Sequence, residues 1–119
     1  MMPRLVVRVD GSREIGFGHA VRCLALIQAW IDHGGTASVA SAFLPDPVRR
    51  SMLDEGVEII DLPSVDAITN PLHRSFEQAD WVIFDGYRFP SDIREIARQH
   101  CQSIGLIDDF AISSRPVDV

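Results

Sequence analysis

The residues of this 119-residue chain best suited to chemistry are Ile15-Gly16-Phe17-Gly18-His19. Glycines let backbone amides approach an anion closely, and a helix starting just after them adds partial positive charge at the same place. His19 falls where that helix would begin. The positive end of a helix dipole favours the uncharged imidazole, the form a general base must have to accept a proton. Two plainer readings fit the same residues. The glycines suit a strand-to-helix turn that needs unusual backbone angles, and His19 suits a helix cap or a ring packed on the loop.

More polar residues stand just after strand-like runs: Asp10-Gly11, Asp85-Gly86-Tyr87 and Asp108-Asp109. In an open α/β sheet, ligands bind beyond the carboxyl ends of the strands, so these positions and the 11–19 loop are where a site would be built. The loop does not read as a dinucleotide site. Gly16-Phe17-Gly18-His19-Ala20-Val21 lacks the third glycine, and the second strand ends in Ser41-Ala42-Phe43 without an acid for the ribose. A Walker loop is excluded, because neither glycine precedes Lys-Ser or Lys-Thr. Asp108-Asp109 fits a turn or helix cap better than a cleft. Arg8, inside an apolar run, needs a partner, and Asp85 and Asp108 are the candidates. His33, His73 and His100 fall near helix ends or in a loop, where solvated or dipole-favoured positions are expected, and Trp30 and Trp81 fall at core positions.

The elements that must position these groups alternate. Leu5–Asp10 reads as a buried strand, and His19–His33 as a helix closed by Gly34-Gly35. Ala37–Phe43 is a second strand. Pro45-Asp46-Pro47 breaks the chain before a short helix over Val48–Glu55, and Val57–Leu62 is strand three. Pro71 interrupts Ser64–Ala79, where helix is expected on at least one side. Trp81–Asp85, Pro90–His100 and Ser103–Ile107 then read as strand, helix and strand. This order demands right-handed crossovers and gives a doubly wound, mostly parallel, Rossmann-like α/β sheet. Arg115–Val119 resembles the approach to a sixth strand, so a longer protein is expected.

Composition sets the outer bounds. A chain of this length, 46% hydrophobic, holds at most one domain over 1–119. Its net charge of −6 comes from 11 basic and 17 acidic residues with no run of one sign, which argues against nucleic acid or an anionic membrane as partner. The two cysteines, Cys23 and Cys101, form no zinc or disulfide pattern, so reduced thiols, no metal and no cofactor are expected. No signal peptide or membrane span is legible, and a cytoplasmic location follows as the expectation.

The run from Arg8-Val9-Asp10-Gly11 through Gly16-Phe17-Gly18-His19 to Arg22-Cys23-Leu24 resembles the opening signature of the UDP-sugar hydrolases of pseudaminic acid biosynthesis. Asp85-Gly86-Tyr87 is similar to that family's Asp-x-Tyr after the fourth strand, and Ile107-Asp108-Asp109 to its Asp-Asp after the fifth. The resemblance is poor between Pro45 and Ala79. It implies the N-terminal domain of a GT-B-type fold, with the nucleotide held largely by a second domain. It also implies attack of water on the anomeric carbon of a UDP-linked diacetamido-trideoxy sugar, with UDP leaving. On this resemblance His19 is the base, Gly16, Phe17 and Gly18 lie against the diphosphate or sugar, Asp10 orients His19 or the loop, Arg22 helps bind substrate, and Tyr87 contacts the sugar. A sugar transferase of the same fold would use a similar base and loop. A non-catalytic domain that docks another chain, or self-associates through an exposed apolar face, is the alternative of a different class.

Overall fold

The computed structural model describes residues 2–11, 18–85, 91–101 and 103–107. The described elements run β1 (Arg4–Val9), α1 (Gly18–Asp32), β2 (Thr36–Ser41), α2 (Asp46–Asp54), β3 (Glu58–Asp61), α3 (Asn70–Glu77), β4 (Trp81–Asp85), α4 (Ser91–His100) and β5 (Ser103–Ile107). All strand pairs are parallel, in the order β3-β2-β1-β4-β5. The chain is therefore an α/β protein of Rossmann-like, doubly wound form.

The apolar run of β1 is explained by its place at the centre of the sheet, paired on both edges and covered on both faces. Side chains alternate across it. Leu5, Val7 and Val9 join Cys23, Ile27, Val39, Val48 and Met52 in one core under α1 and α2. Val6 joins Leu72, Phe76, Val82, Phe84, Ile93 and Ala97 in the other, under α3 and α4. No helix among the described residues is long and apolar enough to cross a membrane.

Prolines stand at the starts of α2 and α3. Pro45 is the N-cap of α2 and Pro47 lies in its first turn, so the helix begins at Asp46 rather than Val48. The first-turn amides have no partner within a helix, so proline there sacrifices no bond. In α3, Pro71 occupies the same position, Thr69 Oγ1 accepts from Leu72 N at 3.3 Å, and Leu72 and Phe76 turn inward one helical turn apart. Helix α1 stops at Asp32 because Gly34 takes a left-handed φ of 95°. At Gly35 a Cβ would collide with the indole of Trp30, which donates its ring N–H to Thr36 O at 2.9 Å.

Candidate active site at the switch point

Strands β1 and β4 lie side by side with Val9 opposite Asp85, and the chain winds away from this pair toward opposite edges of the sheet. Such a reversal of strand order leaves a crevice beyond the strand ends. Helix α1 starts beside it. His19, Arg22 and Cys23 are spaced so that one face of α1 presents all three to the end of β4.

All three converge on Asp85, whose side chain is fully buried. His19 Nδ1 lies 2.6 Å from Asp85 Oδ1, Arg22 donates from Nε to Oδ2 at 2.7 Å and from Nη2 to Oδ1 at 2.5 Å, and the Cys23 thiol donates to Oδ2 at 3.1 Å. An ionised carboxylate only accepts, so the ring hydrogen is assigned to Nδ1. Arg22 Nη2 is also 2.9 Å from Nδ1, and two donors therefore meet there on one carboxylate oxygen. The reverse assignment would set a ring lone pair against a carboxylate oxygen at 2.6 Å, which is repulsive. In the neutral ring, Nε2 is then the proton-accepting nitrogen. The His19 side chain keeps 17% of its surface exposed, so the ring is not packed away inside the core.

The electrostatics follow from the same contacts. Burial works against a charged Asp85, but the hydrogen bonds from Arg22, His19 and Cys23 outweigh it and hold the carboxyl below its ordinary range. For Cys23, burial first and the Asp85 charge second push the thiol far upward, so it remains protonated as a donor and is no nucleophile.

The structure redistributes the expected roles. Asp10 makes no bond to His19 among the described residues, and the 12–17 part of the loop that it is also expected to orient lies outside them. Asp10 Oδ1 accepts from Arg8 Nη1 at 2.8 Å, Ser41 Oγ at 3.0 Å and the amides of Ala42 and Phe43 at 2.7 and 3.3 Å, so it fastens the turn after β2 to the centre of the sheet. Asp10 Oδ2 is buried and meets no donor among the described residues. Arg8, fully buried, takes Asp10 rather than Asp85 as its acid and reaches Val65 O at 2.9 Å in the loop after β3; Asp108 lies outside the described residues. Arg22, expected to help bind substrate, is held by Asp85 with 35% of its side chain exposed.

Gly18 opens α1 without a left-handed φ, and a Cβ there would meet nothing within 4 Å among the described residues. Gly16, Phe17 and Tyr87 lie outside the described residues. The group that sequence reasoning assigned elsewhere is Asp85, the orienting acid; its signal was an acid closing the strand that flanks β1. No protein-family model, curated protein or solved structure matches the chain.

Proposed function

We propose that this chain carries the general base of a nucleotide-sugar hydrolase. His19 Nε2 takes a proton from water as the water oxygen bonds to the anomeric carbon. The bond from that carbon to the terminal diphosphate oxygen breaks, and UDP leaves with the electron pair. A nucleoside diphosphate is already a good leaving group, so a base and a cradle for the diphosphate suffice without a second carboxylate. The 2.6 Å contact of His19 Nδ1 with buried Asp85 carries this reading, because it directs the accepting nitrogen away from the acid, as the acid of a catalytic triad does for its histidine.

Further support comes from the surroundings. The open space at Gly18 suits a close approach of the diphosphate; the parts given to Gly16, Phe17 and Tyr87 rest on the motif resemblance. Exposed Val21, Phe43, Val65 and Ile68 all belong to segments at the carboxyl edge of the strands, where a second domain would cover them and close a cleft. The substrate class, a UDP-linked diacetamido-trideoxy sugar, rests on the motif resemblance.

The test uses the protein as its gene encodes it. UDP release from such a sugar nucleotide, with no acceptor present, should fall by about 10²–10⁴-fold in His19→Gln while the fold persists. Undiminished release by the variant would defeat the proposal. An absolute need for an acceptor hydroxyl would make the reaction transfer instead of hydrolysis.

A further inference from the structure

Helices α3 and α4 pack side by side on one face of the sheet, both running against the strand direction, so their ends lie at the edge opposite His19. His73 and Glu77 are one turn apart on α3, and His100 is the last residue of α4. The three meet. The His73 and His100 rings are edge to face with centroids 4.6 Å apart, His73 Nδ1 lies 3.2 Å from Glu77 Oε1, and one ligand atom from each residue falls within 4.8 Å of the others.

We propose that His73, Glu77 and His100 bind a divalent transition-metal ion of the zinc class, stapling α3 to α4. Two imidazoles and one carboxylate are a borderline donor set that suits zinc or cobalt and not the oxygen-seeking calcium or magnesium. Donor atoms of a tetrahedral zinc site lie about 3.3 Å apart, as bonds of about 2.1 Å require. The present separations must contract by at most about 1.5 Å, which rotation of side chains at the surface supplies. Residues i and i+4 of a helix share one face, so His73 and Glu77 already form a two-point clamp. His100 stands at the carboxyl end of α4, where the helix dipole favours a cation. Three protein ligands at a partly exposed position leave a fourth to water.

The test titrates the tag-free protein with Zn²⁺ by calorimetry and with Co²⁺ by visible absorption. One equivalent should bind, with the intense ligand-field bands of four-coordinate cobalt, and zinc at a hundredfold excess over Kd should raise Tm by about 10 °C. His73→Ala and His100→Ala should each weaken binding at least tenfold, while His33→Ala, on an exposed turn elsewhere, should leave it unchanged. Thermal melts of the metal-free variants establish that they fold. Absence of the cobalt bands, or equal affinity in His73→Ala and the parent, would overturn the proposal.

Discussion

Replacing Asp85 by Asn keeps the shape of the side chain and removes only its charge, which makes it the sharpest probe of the cluster. The carboxylate accepts from His19, twice from Arg22, and from Cys23, whereas an amide offers one oxygen and brings an NH₂ into a nest of donors. Breaking one side of a buried ion pair costs roughly 3–5 kcal/mol. Arg22 retains 35% exposure, so water relieves part of that, and a loss of about 2–3 kcal/mol is expected. At about 2.1 cal/mol/K of unfolding entropy per residue, the chain should melt about 10 °C lower.

The loss should depend on pH. Because the folded carboxyl is held below its ordinary range, its contribution is fully present above about pH 3.9 and fades as pH falls through the folded value. The gap between parent and Asp85→Asn, followed by circular dichroism melts, should therefore narrow on acidification. Turnover should fall by about 10²–10⁴-fold, since an amide N–H facing Nδ1 favours the other tautomer and places the proton on Nε2. Equal melting temperatures at neutral pH, or a gap unchanged into acid, would refute the account of Asp85.

Two further substitutions test the frame that holds the site. Gly11→Ala places a Cβ 2.9 Å from Ala20 Cβ and 3.1 Å from Pro45 Cδ, so α1 or the turn before α2 must move, and urea unfolding should show about 1–3 kcal/mol of destabilisation. Phe76→Ala empties a fully buried ring site beside Phe84, with ring centroids 6.3 Å apart, and should cost about 3–5 kcal/mol in the same measurement. A loss under 1 kcal/mol would mean that α3 contributes little to its core.

The strands were legible because a sheet buried on both faces writes itself as apolar runs: Trp81–Asp85 coincides with β4, and α1 begins one residue before the histidine from which it was read. At α2 the prolines point to a helix that follows them, yet it already begins at Asp46, because a first turn tolerates proline and only capping geometry fixes the start. Strand order is a different matter. Alternating elements imply parallel pairing without saying which strands adjoin, so nothing local joined His19 to an acid 66 residues away. The resemblance gives Asp10 the task of orienting His19 or the loop, whereas adjacency in the sheet sets Asp85 against the ring.

The placement of β1 at the sheet centre bears on how the molecule is made. A ribosome delivers β1 first, yet Leu5 finds its neighbour Trp81 only after 76 more residues have emerged. Until then the growing chain can pair β1 with β2 alone, and one edge of its central strand stays unmet. Exposed edges of that kind invite pairing with other chains, and long-range parallel closure is slow. Crowding of nascent chains during rapid expression should therefore send more of this protein into inclusion bodies, and slower translation should recover it.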